Sequence, residues 1–125
     1  MALIKILMVA AGGAAGAVGR YILSLIPIKT VFPVITLITN LLGALLIGFV
    51  VGCSQARGMN ENWLLFWKTG VCGGFTTFSA FSLEALNLFQ KNSYIIGAVY
   101  VLLSVVLCIS GVMLGRQAAF LAFKR

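Results

Sequence analysis

Apolar residues dominate four stretches of the chain, about Ala2 to Ile26, Pro33 to Ser54, Trp63 to Phe89 and Ser93 to Phe123. Each is near or above the roughly 20 residues that carry a helix across a bilayer. Pro27 ends the first stretch, and Pro33 suits the first turn of the second. The connections Pro27 to Phe32, Gln55 to Asn62 and Gln90 to Asn92 are short, with no low-complexity segment. The pattern predicts an all-α membrane protein of four transmembrane helices, with residues 1–125 forming one domain. The first stretch is too long for a signal-peptide core and is interrupted by Arg20, so it reads as a mature helix.

Small residues recur at helix-facing spacing. Gly12 and Gly16, Gly48 and Gly52, Gly70 and Gly74, and Gly111 and Gly115 are each four apart. Each pair lies on one helix face and lets backbones approach closely, which predicts a tightly packed bundle. Trp63 and Trp67 form an interfacial belt at the start of the third stretch, with Lys68 beside them as a snorkelling cation.

The third stretch differs from the others. Gly73, Gly74, Thr76 and Thr77 cluster in its middle, and all are weak helix formers. They predict either a kink or an unwound stretch there. Unwound backbone at membrane depth is tolerated only where protein, water or an ion meets the freed groups, so a true break points to a binding site.

Composition removes the soluble alternative. The chain is 62% hydrophobic and 9% charged, whereas a soluble domain needs roughly 25% charged residues. The net charge of +7 is spread along the chain, near the ends of apolar runs, as interfacial anchors are and a nucleic-acid patch is not. Lys5, Arg57, Lys68, Arg116, Lys124 and Arg125 fall nearer one side of a four-helix bundle, and Arg20, Lys29 and Lys91 nearer the other. That modest bias favours cytoplasmic termini and also permits insertion both ways. Cys53, Cys72 and Cys108 have neither metal-ligand nor redox spacing. With no His and no Asp, the chain lacks material for a metal cluster or a catalytic triad, and it reads as a non-enzyme.

Polar residues inside apolar helices are costly, so each is a candidate. They are Arg20, Asn40, Thr76, Thr77, Ser79, Ser82, Glu84, Tyr100, Ser104 and Ser110. For the hydroxyls, bonding back to the helix's own carbonyls is the ordinary outcome. Asn40 suits a helix–helix hydrogen bond as well as a ligand role. Arg20 and Glu84 suit an ion pair, which spacing alone does not decide. Phe78 and Phe81 share a helix face, where their positive ring edges can meet lipid, core or an anion.

The run Gly70-Val-Cys-Gly-Gly-Phe-Thr-Thr-Phe-Ser-Ala-Phe-Ser-Leu-Glu84 closely resembles the signature of the Fluc fluoride channels, also called the CrcB family. Gly16-Ala-Val-Gly-Arg-Tyr21 and Thr36-Leu-Ile-Thr-Asn-Leu-Leu-Gly43 agree with it, in the same order. The resemblance implies an antiparallel, dual-topology dimer in the bacterial inner membrane, with fluoride pores along the subunit interface. It implies Phe78 and Phe81 as pore phenylalanines, Asn40 as the pore amide, Ser79 and Ser82 as a hydroxyl track, and Tyr100 and Ser104 as pore residues of the fourth helix. A structural sodium ion on the two-fold axis would be held by backbone carbonyls of Gly73 and Thr76 from both subunits. Arg20 and Glu84 would match a first-helix arginine and a third-helix acid, with structural or vestibule roles. Ala80 departs from the pattern, since many members carry Thr there, and one track hydroxyl is lost; Cys108 likewise stands where a more polar residue is expected.

Two rival readings stand beside this one. A small dual-topology exporter of the multidrug type needs a buried acid in its first helix, and this first stretch has none. A non-transporting scaffold explains the glycines but not the Thr- and Phe-rich third stretch. Whether the partner is a second copy or a related subunit is left open.

Overall fold

A computed structural model describes residues 1–123 of the chain, and every regular element in that range is helical. Helix α1 runs Ala2–Ser24 and α2 runs Val34–Arg57. The third apolar stretch is composite: α3 (Glu61–Leu64), a π-helical segment (Leu65–Cys72), α4 (Gly73–Phe75) and, after an interruption, α5 (Phe78–Gln90). Helix α6 runs Tyr94–Ala122. Helices α1, α2 and α6 are long and apolar enough to cross a membrane. Their outward faces carry exposed Leu3, Ile22, Ile95, Leu102 and Met113, a surface suited to lipid and not to water.

The ends follow from local chemistry. Helix α1 stops at Ser24, whose hydroxyl bonds back to the Tyr21 carbonyl at 2.6 Å, just short of Pro27. Pro33 stands as the N-cap of α2, where its missing N–H costs nothing. Asn60 caps α3 by accepting the N–H of Asn62 at 2.9 Å. Asn92, with φ of 59°, turns the chain into α6; asparagine is among the few residues that tolerate this conformation.

Two seams hold the bundle. Helix α2 packs along α6, and α1 packs along the π-helical segment and α4. Both are backbone-to-backbone contacts. A methyl at Gly48 would lie 2.9 Å from the Val112 Cα, and one at Gly70 would lie 2.8 Å from the Gly12 Cα. Lys5 Nζ donates to Glu61 Oε1 at 2.6 Å, tying the start of α1 to the start of α3. Arg57 stacks over the Phe123 ring, tying the end of α2 to the end of α6. Both ends of the described chain therefore share one end of the bundle, with Lys5, Arg57 and Arg116 on that side. Lys124 and Arg125, counted with this group in the sequence, lie outside the described residues.

The interruption is real, and shorter than the sequence implied. Only Thr76 (φ −77°, ψ 158°) and Thr77 (φ −148°, ψ 114°) are extended. Gly73 and Gly74 are helical. The reason at Gly74 is packing: an added methyl would sit 3.1 Å from the Ala17 N of α1. That glycine lets the backbones approach each other and does not loosen the helix.

Candidate functional site

The site is built around the two extended threonines. A continuous helix would bring the Thr77 N–H to the Gly73 carbonyl and the Ala80 N–H to the Thr76 carbonyl. Both donors are diverted. The Thr77 N–H donates to Asn40 Oδ1 at 2.7 Å, and the Ala80 N–H donates to Thr77 Oγ1 at 3.1 Å. Asn40 Nδ2 returns a bond to the Thr77 carbonyl at 3.0 Å. One side chain of α2 thus replaces the helix as the partner of Thr77's backbone. Thr77 in turn N-caps α5, and Thr76 Oγ1 bonds back to the Cys72 carbonyl at 2.9 Å. The carbonyls of Gly73 and Thr76 are left without their usual helical donors.

This arrangement opens on a groove of about 410 Å³. Asn40, Gly73, Thr76, Thr77, Phe78, Phe81 and Ser104 all line it, together with Lys68. Phe78 and Phe81 lie 5.4 Å apart between ring centroids, tilted by 45°. They are not equivalent: Phe78 is 79% exposed, whereas Phe81 is 9% exposed. Behind Phe81 stands Tyr100, wholly buried, with centroids 5.3 Å apart, and Phe32 meets Tyr100 edge-on at 5.4 Å. Ser104 is buried and lines the groove, and its hydroxyl has no hydrogen-bond partner among the described residues.

A second cavity, of about 400 Å³, also borders Thr77. Arg20, Thr36, Thr39, Ala80 and Glu84 line it with Thr77. Glu84 accepts hydroxyl bonds from Thr36 and from Tyr100, each at 2.7 Å. Arg20 shares this cavity with Glu84, but the two form no ion pair; the Arg20 Nε is buried and, among the described residues, unpartnered. The question left open by spacing is therefore answered by hydroxyls, not by the arginine.

The chain belongs to the CrcB family. The model of that family, described as CrcB-like protein, Camphor Resistance (CrcB), matches residues 7–116. A fluoride-specific ion channel FluC of Ruminiclostridium cellulolyticum is 42% identical, covering 94% of this chain and 93% of its own length. Proteins of the same name from Ruegeria sp. and Methanococcus maripaludis are 45% and 41% identical, covering 94% and 92% of this chain. Membership in a channel family makes this a multi-pass membrane protein and not an enzyme.

Against the CrcB resemblance, the single chain gathers some expected residues and not others. Asn40, Gly73, Thr76, Phe78, Phe81 and Ser104 meet in one groove. Ser79 and Ser82 are exposed on α5 and line neither cavity; Ser79 Oγ lies 3.2 Å from Thr77 Oγ1, and Ser82 bonds back to the Phe78 carbonyl at 2.8 Å. Tyr100 lines neither cavity and sits under Phe81. Sequence reasoning did not find the grip of Asn40 on Thr77 or the two hydroxyls on Glu84. A signal existed: Thr36, Asn40 and Gly43 recur at helical spacing, so all three share one face of α2.

Proposed function

We propose that the chain is a subunit of a fluoride channel, in which fluoride passes by the break at Thr76–Thr77. One observation carries the reading. The unwound stretch, gripped by Asn40, shares a groove with Phe78, Phe81 and the unpartnered Ser104 hydroxyl. The relatives named fluoride-specific ion channel supply the identity of the ion.

Fluoride is small and strongly hydrated, so a pore must replace its water with donors. Asn40 has one amide N–H beyond the one given to Thr77, and Ser104 has a free hydroxyl. The ring edges of Phe78 and Phe81 add weak positive potential without the grip of a full charge, and exit needs that weakness. Residues 61–90 form a fourth span made of two half-helices, giving four transmembrane helices in the inner membrane. A second subunit, antiparallel to the first, closes the groove. In that assembly Ser79 and Ser82 face the path, Tyr100 supports Phe81, and Arg20 and Glu84 form a vestibule. The partner is another copy or a related subunit.

Sodium fits the break. The Gly73 and Thr76 carbonyls have lost their usual N–H donors, and hard oxygens suit that cation. Paired across a two-fold axis they would hold it, and its charge would offset the converging carbonyl dipoles. The exporter alternative has little to stand on, since α1 has no acid and Glu84 is engaged by two hydroxyls.

The test is efflux of fluoride from liposomes containing the purified chain alone, with no pH gradient. Passive efflux is expected. An absolute need for an imposed proton gradient would overturn the channel reading, and flux appearing only with a related chain would assign a heterodimer.

A further inference from the structure

Lys68 is the one charged side chain lining the groove among the described residues. The sequence alone reads it as a snorkelling anchor beside Trp63 and Trp67, but its neighbours point elsewhere. Phe66 and Trp67 line a separate cavity against α1 and α2. Lys68 lines the groove with Cys72 and Gly73. Four-residue spacing already puts Lys68 on the face of Cys72, and Trp67 on the face of Val71. The i to i+5 bonding of the π-helical segment widens each turn and brings Gly73, five residues on, close to that face as well.

Lys68 also has no counter-ion within the described chain. The sequence holds two acids. Glu61 pairs with Lys5, and Glu84 accepts from Thr36 and Tyr100. An exposed ammonium with no acid to pair with, facing a water-accessible groove, sets up an attractive field for anions. It stands eight residues before Thr76, roughly 12 Å at helical rise. That is too far to bind an ion held at the break, and near enough to draw one toward it.

We propose that Lys68 recruits small hydrated anions into the groove ahead of Asn40 and Phe78. The inference rests on the fluoride-path reading above. A single charge attracts halides alike, so Lys68 raises entry without setting selectivity. Its action is also screened by salt. The Debye length is about 30 Å at 0.01 M and about 8 Å at 0.15 M, so the 12 Å field reaches the break only at low salt.

The experiment compares the unaltered protein with Lys68→Gln, Lys68→Glu and Lys68→Arg in zwitterionic liposomes, after gel filtration confirms assembly. Initial fluoride efflux is measured against fluoride concentration, at low and high salt. At low salt and low fluoride, Lys68→Gln is expected to slow efflux about 3- to 10-fold, at the lower end of electrostatic steering. Lys68→Glu should slow it further, and Lys68→Arg should preserve it. The curves should converge at high salt and at saturating fluoride. Equal flux from all variants at low salt would overturn the proposal and leave Lys68 an anchor. A loss in Lys68→Gln that persists at high salt and at saturation, and that Lys68→Arg does not rescue, would assign it to packing and overturn the proposal too. Absence of flux from the unaltered protein would instead overturn the channel reading beneath it.

Discussion

The α2–α6 pair and the third run use the same residue types to opposite ends. Both are rich in glycine, and both bring backbones into contact. The α2–α6 seam stays regular throughout, with Gly48 against Val112 and Gly115 against Phe49. The third run passes through a π-helical segment, then opens at Thr76 and Thr77. Glycine content does not separate them, because Gly70 and Gly74 are helical and packed on α1. What separates them is a partner for freed backbone. Asn40 offers an acceptor and a donor at one point, and the helix opens there. In a membrane, a helix breaks where something waits to bond it, since unsatisfied groups in lipid cost several kcal/mol.

The largest effect should come from crowding the regular seam. Gly48→Leu places a side chain where a bare Cβ already meets Val112 Cα at 2.9 Å. Overpacking costs about 1–3 kcal/mol where neighbours can yield, and more against backbone. Loss of a monodisperse species on gel filtration is expected. Gly73→Ala is the contrasting case: nothing lies within 4 Å of an added methyl, and alanine gains about 1 kcal/mol of helix propensity. The chain should fold normally, so any loss of assembly or flux would come from the partner's side of the groove. Normal assembly of Gly48→Leu would break the comparison.

Next is the grip on the break. Asn40→Asp keeps an acceptor for the Thr77 N–H but turns the donor to the Thr77 carbonyl into another acceptor. Flux should fall at least about 10-fold, and thermal unfolding should show a loss of about 1–3 kcal/mol from a buried group left unsatisfied. A pore amide that bonded nothing else could be changed without cost to folding; the two bonds to Thr77 make this change costly. Unchanged stability would mean that the break holds itself open.

The legibility of these regions in the sequence follows the same division. The helices and their glycine seams were readable, because apolar length and four-residue spacing act locally along one helix. The break was readable in outline from Gly73 to Thr77, but its width was not. Which two residues unwind depends on Asn40, 37 positions away from Thr77. Glu84 was visible as a buried acid, but its hydroxyl partners Thr36 and Tyr100 come from two other helices. The π-helical segment had no local signal, and that the face of Lys68 and Cys72 borders the groove depends on α2 and α6. What failed to show in the sequence is what requires two elements at once.

A smaller and cleaner effect is expected at the phenylalanines. Phe81 is packed on Tyr100, so replacing it by Ile confounds pore and core. Phe78 is 79% exposed in the single chain. Phe78→Ile should leave the monomer's thermal stability unchanged while cutting fluoride flux about 10-fold, through loss of a positive ring edge. Full flux from a well-assembled Phe78→Ile protein would return that residue to lipid or interface packing.

The finest test of the comparison is Ser104, which lies in the regular helix but faces the groove. Serines inside helices ordinarily bond back to a carbonyl of the preceding turn. Thr39 does so in α2, at 2.8 Å to the Ile35 carbonyl. Ser104 does not: its hydroxyl is buried and, among the described residues, unpartnered, in a residue that lines the groove. A polar group in that state destabilises the chain that holds it, by about 1–3 kcal/mol. Ser104→Ala should therefore leave thermal stability unchanged or raise it by about 1 kcal/mol, the reverse of the usual loss on removing a bonded hydroxyl. Flux should fall about 3-fold, because a passing anion loses one donor. The pair of readings matters more than either alone. A stability gain with reduced flux means the hydroxyl is kept for the ion. A stability loss would show that Ser104 has a structural partner in the assembled protein, and the regular helix would then contribute packing alone to the path.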